Sequence, residues 1–274
     1  CHKASSILLL YHIQLYEHRN CAKMNTANKW GIAMRENGRK PDELRPLSIQ
    51  ANVLKNAHGS VLISAGNTQV LCTAMLEEGV PPFLAETGNG WLTAEYSMIP
   101  ASTPHRKKRD GVKQDGRGVE IQRLIGRSLR SVCNFEGMGE YTIYIDCDVL
   151  NADGGTRTAS ISGAFIAAAL CIDKAVREGM LTKSPLTKHV AAVSAGIVED
   201  TPLLDLCYAE DSGAQADMNM VAADDGNIGE IQISGEKRTV TEEEFTVLMA
   251  LCKKGIHQII ARQKEILKEE GITV

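Results

Sequence analysis

The stretch Asn151-Ala-Asp-Gly-Gly-Thr-Arg-Thr-Ala-Ser160 joins two segments with different periodicities. Before it, Tyr141 to Leu150 alternates apolar and polar side chains, which is the pattern of a half-buried strand. After it, residues 161–174 are apolar at helical spacing and rich in small side chains. This second pattern predicts a helix packed against a sheet. The three parts therefore predict a strand, a glycine turn and the start of a helix.

The predicted turn has the composition of an anion site. Gly154 and Gly155 allow the backbone to direct N–H groups toward one point, where the positive end of the helix dipole also lies. Arg157 adds a forked positive charge that fits phosphate oxygens, and Thr156 and Thr158 add hydroxyl donors. We expect this turn to bind free phosphate or a phosphate group.

The same spacing also fits a tight turn without a ligand. In that interpretation Thr158 or Ser160 caps the helix, and spacing alone does not separate the two possibilities. Two nucleotide motifs are excluded. The turn is not followed by Gly-Lys-Ser/Thr, and it lacks the Gly-x-Gly-x-x-Gly spacing of dinucleotide-binding folds.

The composition is that of an ordinary globular protein. The 274 residues are 43% hydrophobic and 23% charged, which suits one large domain or two small ones. A net charge of −4 means that any affinity for nucleic acid must come from a local basic patch. The eight cysteines are scattered without a Cys-x-x-Cys pair, which fits neither a zinc site nor a disulfide framework. This usage indicates a reducing, cytoplasmic setting.

Residues 105–130 contain the strongest concentration of positive charge. The basic residues are Arg106, Lys107, Lys108, Arg109, Lys113, Arg117, Arg123, Arg127 and Arg130, against Asp110, Asp115 and Glu120. The second half is predicted to be an amphipathic helix whose apolar face comprises Ile121, Leu124, Ile125, Leu129 and Val132. A charged stripe is commonly just a solvated face, but the stripe formed by Arg123, Arg127 and Arg130 has a single sign. We expect it to contact a phosphate backbone.

Two aspartates form a second candidate site. We expect strands at about 203–209 and 217–222, with Asp211 at the end of the first and Asp217 at the start of the second. A hairpin-like connection would bring the carboxylates together, where they would bind Mg²⁺ or raise one pKa to give a general acid. Both residues also fit a purely structural role in turns and caps.

The remaining elements are predicted from local signals. Strands are expected at 60–65 and 68–76 around a Gly66-Asn67 turn, and at 91–99, 188–198 and 228–234. Thr241 and Glu244 form a capping box at the start of the last helix. Residues 1–33 are expected to be an N-terminal extension outside the fold, because their apolar run is too short to span a bilayer. Residues 34–274 are expected to form one domain, with no membrane partner.

Four long motifs resemble those of the ribonuclease PH family. They are Gly90–Tyr96, Gly116–Arg130, Asp146–Ile161 and Glu210–Asn219, and they occur in the family's order between Met34 and Lys264. The resemblance implies an α+β fold, a single RNase PH domain with the βαβα topology of ribosomal protein S5 domain 2. It also implies a homo-hexamer built as a trimer of dimers.

The resemblance further implies a phosphorolytic 3′-to-5′ exoribonuclease. Such an enzyme trims precursor tRNA, and possibly rRNA, with inorganic phosphate as co-substrate and releases nucleoside 5′-diphosphates. The family's phosphate-binding positions fall on Arg117, Gly155, Thr156 and Arg157. Its catalytic carboxylates, which bind Mg²⁺ or supply a proton, fall on Asp211 and Asp217. RNA contacts are expected from Arg106, Lys107, Lys108, Arg109, Arg123 and Arg127.

Three departures concern how tRNA docks. Pro82, Ala85 and Ala101 stand where bacterial members often carry basic residues. The alternative function is a catalytically silent, RNA-binding ring subunit of an exosome-like assembly. The presence of Thr156, Arg157, Asp211 and Asp217 together favours activity, because a silent subunit has no chemical need for them.

Overall fold

Two sheets and four α-helices make up the part of the chain that the computed structural model describes, which is residue 35 and residues 38–109 and 116–274. The extension expected over residues 1–33 lies outside these residues. The strands are β1 (Leu47–Ala51), β2 (Gly59–Ala65), β3 (Thr68–Glu78), β4 (Trp91–Met98), β5 (Tyr141–Asn151), β6 (Val190–Val198), β7 (Thr201–Leu204), β8 (Ala216–Ala223) and β9 (Ile228–Gly235). The helices are α1 (Gly116–Arg130), α2 (Thr156–Arg177), α3 (Tyr208–Gly213) and α4 (Glu242–Glu269), with a 3₁₀ turn at Pro82–Leu84. The fold is of the α+β class expected from the sequence.

The first sheet has the order β1-β2-β3-β5-β4, and only its β4–β5 pair is parallel. The predicted hairpin between β2 and β3 is confirmed, with Gly66 at a left-handed φ of +58°. The strand predicted at Tyr141 to Leu150 is confirmed as β5. Because β4 and β5 are parallel, their carboxyl ends lie at one edge of the sheet. The first turns of α1 and α2 lie at this edge.

The second sheet has the order β7-β6-β8-β9 and is antiparallel throughout. The prediction of a strand over 203–209 is wrong, because β7 ends at Leu204 and Asp211 lies in the short helix α3. Asp205 interrupts the strand with a left-handed φ of +54°. Cys207 then caps α3, and the Glu210 carboxylate accepts a hydrogen bond of 3.0 Å from the Cys207 backbone N–H. The predicted hairpin-like link between Asp211 and Asp217 is therefore replaced by a helix.

Helix α2 lies between the two sheets and fills the core. Its small residues allow close packing: a Cβ at Gly163 would lie 2.7 Å from the Ile63 side chain of β2. On the other side, the Ser162 hydroxyl accepts a 3.1 Å hydrogen bond from the Ala192 N–H of β6. Among the described residues, α2 alone is long and apolar enough to cross a membrane. Because it is almost entirely buried within the fold, this composition is explained by its place in the core.

Helix α4 covers the second sheet. The predicted capping box is confirmed, since the Thr241 hydroxyl accepts from the Glu244 N–H at 3.2 Å and the Glu244 carboxylate accepts from the Thr241 N–H at 2.9 Å. Most of the predicted apolar stripe is buried, and Phe245 and Met249 are half-buried. The Gln263 amide donates to carbonyl groups of α2 and β6, which ties α4 to the central helix and to the second sheet.

Candidate active site

The glycine turn after β5 has the backbone conformation that an anion site requires. Gly154 and Gly155 have φ values of +74° and +64°, and α2 begins at Thr156 with Gly155 as its N-cap and no side-chain cap. The first N–H groups of a helix have no intrahelical partner, so they are available to a ligand. The interpretation in which Thr158 or Ser160 caps the helix is wrong. Their hydroxyl groups donate instead to the carbonyls of Gly155 and Thr156.

The carbonyl side of the turn is held from within the protein. Arg45 donates to the Asp153 carbonyl at 2.6 Å, and the Thr68 hydroxyl donates to the Gly154 carbonyl at 2.7 Å. Gly155 also lies against Arg45, because a Cβ there would be 2.8 Å from the guanidinium nitrogen Nη2. These contacts satisfy the carbonyl groups and fix the conformation of the turn.

The four predicted phosphate-binding residues lie at the beginnings of two helices. Gly155, Thr156 and Arg157 start α2, and Arg117 is in the first turn of α1. The Thr156 hydroxyl is 2.9 Å from the hydroxyl of Tyr96, which stands near the end of β4. Burial raises the pKa of Tyr96, and the Thr156 hydrogen bond and the positive charges of Arg117 and Arg157 oppose this rise. The structure therefore brings these residues together.

Arg157 is held in place by neighbouring polar side chains. Its Nη1 donates to the Gln232 amide oxygen of β9 at 2.6 Å and lies 3.7 Å from the Glu120 carboxylate of α1. The side chain is 18% exposed. Its charge is therefore partly withdrawn from water and oriented by both helices' surroundings, which strengthens its attraction for an anion.

Asp211 and Asp217 lie within the electrostatic field of these arginines. Burial raises the pKa of Asp211, and the positive charges of Arg117 and Arg157 oppose the rise. Burial also raises the pKa of Asp217, and repulsion from Asp211 and Glu236 adds to it, while Arg157 opposes it. The two aspartates thus affect each other and share the charge of Arg157. A site of this kind combines paired carboxylates with an anion-binding helix terminus.

The turn packs directly on the beginning of α3. A Cβ at Gly154 would lie 2.7 Å from both the Leu206 carbonyl oxygen and the Cys207 carbonyl carbon, so only glycine fits. The Asp153 carboxylate accepts a 3.1 Å hydrogen bond from the N–H of Tyr208, the first residue of α3. The helix that carries Asp211 is therefore positioned by the turn.

The sequence analysis missed a set of buried charged residues behind the site. Arg35 donates from Nε and Nη2 to the Glu210 carboxylate at 2.6 Å each, and Arg45 forms a bidentate pair with Asp205. Arg39 lies in the same cluster, 3.4 Å from Glu210. In the sequence these arginines read as a charged, solvated lead-in to the fold. Their partners lie more than 150 positions away, and a single sequence contains no signal that links them.

The paired aspartates fit a hard cation. Mg²⁺ prefers oxygen ligands and usually takes one or two carboxylates together with water and substrate phosphates. The mutual repulsion of Asp211 and Asp217 is the kind of unfavourable energy that a bound cation offsets. No group of three or more His, Cys, Asp or Glu side chains suited to a metal occurs within the described ranges. Two carboxylates are thus the protein ligands on offer.

The predicted RNA-binding residues are only partly exposed as a basic surface. Arg106, Lys108 and Arg109 are exposed and Lys107 is half-buried, while Asp110, Lys113 and Asp115 lie outside the described residues. Arg123 is exposed on α1. Arg127 pairs with the Glu230 carboxylate of β9 at 2.6 Å.

Arg130 does not share the open basic face of α1. Its Nη1 donates to the Leu92 carbonyl at 3.1 Å, and its guanidinium lies 4.7 Å from the Trp91 ring centroid. The prediction of a uniformly basic helix face is therefore wrong for Arg130, which packs on β4, and incomplete for Arg127, which has an acidic partner. Pro82 starts the 3₁₀ turn, and Ala85 and Ala101 are exposed.

Family models match most of the chain. The model described as "3′ exoribonuclease family, domain 1" matches residues 43–173, and the model for domain 2 of the same family matches residues 188–255. Proteins named ribonuclease PH are close in sequence. The one from Bacillus velezensis is 51% identical over 239 residues, covering 86% of this chain and 98% of that protein. The one from Bacillus subtilis is 50% identical over 237 residues, covering 85% and 97%.

Solved structures share the fold at lower sequence identity. The crystal structure of rice (Oryza sativa) Rrp46 has a TM-score of 0.69 at 21% identity and covers 85% of this chain and 100% of that one. A chain of the Archaeoglobus fulgidus exosome with RNA bound to the active site also has a TM-score of 0.69. It is 23% identical and covers 83% of this chain and 92% of that one. At these identities the likeness concerns the fold.

Proposed function

The chain belongs to the ribonuclease PH family, and from this membership we propose that it is a phosphate-dependent tRNA nucleotidyltransferase. Inorganic phosphate attacks the last phosphodiester of a precursor tRNA, and the products are a nucleoside 5′-diphosphate and RNA shortened by one nucleotide. The observation that carries this proposal is the proximity of an anion-binding helix start to paired carboxylates. Hydrolysis by water would not need the first of these features.

The first task of the site is to bring two anions together. A phosphate dianion and a phosphodiester repel each other, so the nucleophile has to be held by positive charge. The N–H groups at the start of α2 and the guanidinium groups of Arg117 and Arg157 supply that charge. Thr156 adds a hydroxyl donor whose position is fixed by Tyr96. Holding the phosphate in line with the scissile bond removes much of the entropic barrier to attack.

The second task is to stabilise the leaving 3′-oxygen. Asp211 and Asp217 have raised pKa values, chiefly because they are partly buried, so one of them can retain a proton and donate it to the departing oxygen. The same carboxylates, when both are ionised, would hold Mg²⁺. The bound cation would supply stabilisation of negative charge on the reacting phosphates. Both roles require the two aspartates to face the phosphate-binding turn.

RNA is held mainly through its backbone. The exposed residues Arg106, Lys108 and Arg109, together with Lys107 and Arg123, provide positive charge without features that would read individual bases. Arg127 contributes when Glu230 does not neutralise it. Recognition by charge and shape suits an enzyme that trims many different tRNAs, and rRNA ends with them. The basic cluster Arg106–Arg109 would also compensate for the missing positive charges at Pro82, Ala85 and Ala101.

The enzyme assembles as a homo-hexamer and acts in the cytoplasm. The fold is shared with exosome subunits, which supports an oligomeric form of the protein. All six cysteines in the described part of the chain are free, as is usual in a reducing compartment. Light scattering of the purified protein at several concentrations would give the mass of the assembly. A monomer at all concentrations would refute the hexamer.

One experiment tests the reaction. An RNA with extra 3′ nucleotides is incubated with the protein and Mg²⁺, with and without inorganic phosphate, and the released nucleotides are separated by chromatography. Nucleoside diphosphates should appear only when phosphate is present. Nucleoside monophosphates formed without phosphate would refute phosphorolysis. Tight RNA binding without any product would support the alternative, a silent subunit.

A further inference from the structure

Arg45 connects two parts of the site that are far apart in the sequence. Its Nη1 donates to the Asp153 carbonyl at 2.6 Å, and its Nη2 packs against Gly155, so the guanidinium lies directly behind the phosphate-binding turn. The same guanidinium donates to the Asp205 carboxylate, from Nη2 to Oδ1 at 2.7 Å and from Nε to Oδ2 at 3.1 Å. The backbone N–H of Arg45 donates to the same carboxylate at 2.8 Å.

This ion pair is enclosed by the protein. Arg45 and Asp205 are each only 5% exposed. A planar guanidinium bound to a carboxylate at two points has its orientation fixed as well as its distance. Buried ion pairs of this kind often contribute little net stability, because desolvation of the charges opposes their attraction. Their effect is better described as the selection of one geometry.

Asp205 is also the point where the chain enters the catalytic helix. Its backbone has a left-handed φ of +54°, which is unusual for a residue with a side chain. Its carbonyl accepts hydrogen bonds from Arg35 at 3.0 Å and from Arg39 at 3.1 Å. Only Leu206 and Cys207 separate it from α3. The backbone direction at Asp205 therefore sets the position of α3 and of Asp211.

We infer that Arg45 and Asp205 are positioning residues that fix the distance between the bound phosphate and Asp211. One guanidinium contacts the carbonyl side of the turn and the residue that directs α3, so movement of either part would disturb the other. In-line attack depends on such spacing, and an error of about 1 Å can reduce a rate by roughly a hundredfold. This inference rests on the proposed function, in which the turn holds the attacking phosphate.

Two variants test the role. Asp205→Asn keeps the shape of the side chain and a residue type that tolerates a left-handed φ, but removes the charge. Arg45→Lys keeps the charge but removes the forked contact. With a 3′-extended RNA, both should raise the KM for phosphate and lower kcat, each by about tenfold or more. The Kd for RNA, measured without phosphate, should stay unchanged.

A matched control separates positioning from stability. Arg238 and Glu244 form another two-point ion pair, with distances of 2.6 and 3.0 Å, at the start of α4. Glu244→Gln should lower the melting temperature and leave the KM for phosphate unchanged, because KM does not depend on the fraction of folded enzyme. If Glu244→Gln raised the KM for phosphate as much as Asp205→Asn does, a specific positioning role would be refuted.

The outcomes for the two proposals are distinguishable. A wild-type enzyme without phosphate dependence refutes the proposed function. A phosphate-dependent wild type, with variants at Arg45 and Asp205 that keep its KM and kcat, refutes the positioning role alone. If neither variant folds, Thr68→Val tests the same turn without leaving a buried charge, since Thr68 donates to the Gly154 carbonyl. An unaltered KM for phosphate in that variant would also overturn the inference.

Discussion

The carboxylate of Asp153 accepts a 3.1 Å hydrogen bond from the backbone N–H of Tyr208, although 55 positions separate the two residues. Asp153 belongs to the phosphate-binding turn, and Tyr208 is the first residue of the helix that carries Asp211. The contact means that the anion site and the carboxylate site are one structural unit. Changes on either side should therefore have effects that can be told apart kinetically.

Arg157→Ala should chiefly weaken phosphate binding. A hydrogen bond to a charged group contributes about 1.5–3 kcal/mol, so the KM for phosphate should rise by roughly 10- to 100-fold. At saturating phosphate, kcat should fall much less. Initial rates measured over a range of phosphate concentrations would give both constants. Arg177→Ala is the control, because Arg177 ends the same helix and pairs with Asp173 on the surface. An unchanged phosphate dependence in Arg157→Ala would remove this residue from the phosphate site.

Asp217→Asn should abolish turnover while RNA binding persists. The amide keeps the size of the side chain, but it can neither ligate Mg²⁺ as a carboxylate does nor donate an acidic proton. We expect kcat to fall by about a hundredfold or more, the usual scale for loss of a general acid. Single-turnover assays and filter binding would measure the two effects. Asp225→Asn, at the other end of the β8–β9 hairpin, should have wild-type kinetics. Activity retained in Asp217→Asn would contradict the assigned role.

Replacement of Arg106, Lys107, Lys108 and Arg109 by alanine should weaken tRNA binding and its dependence on salt. Each lost contact with a phosphate of single-stranded RNA should reduce the slope of log K against log salt by about 0.7. Binding titrations at several salt concentrations would measure the change. The KM for phosphate serves as an internal control and should not move. The same affinity and slope as in the wild type would show that RNA follows another path.

Gly154→Ala should damage the fold and the site together. The new Cβ would lie 2.7 Å from backbone atoms of Leu206 and Cys207, and the left-handed φ of +74° adds strain. Gly179→Ala is the matched control, because Gly179 has a φ of +77° but open space around its Cβ position. The control should lose about 1–2 kcal/mol of unfolding free energy, the cost of the conformation alone. Urea unfolding that gave equal losses for the two variants would contradict the close packing of the turn on α3.

Features encoded by neighbouring residues were predictable from the sequence. The alternation over Tyr141 to Leu150, the hairpin at Gly66-Asn67 and the capping box of Thr241 with Glu244 all depend on short-range chemistry, and the structure has each of them. The glycine turn was also predictable, because two adjacent glycines before an apolar helix require a special backbone conformation.

Features that depend on distant partners were not predictable. Arginine is seldom buried unless it is paired, so Arg45 reads as a surface residue until Asp205 is placed beside it. The strand expected over 203–209 failed for the same reason, since tertiary contacts hold Asp205 in a left-handed conformation. On α1, helical spacing placed Arg127 and Arg130 on one face, but Glu230 and Trp91 then occupy their guanidinium groups.

The junction between the glycine turn and α3 also has a consequence during protein synthesis. The cradle for the attacking anion is complete once the chain has passed residue 157, but the carboxylates arrive only with residues 211 and 217. A polypeptide released early by the ribosome, at any point between these positions, would carry no means of breaking a phosphodiester. Interrupted translation therefore yields fragments that are harmless to the cell's RNA.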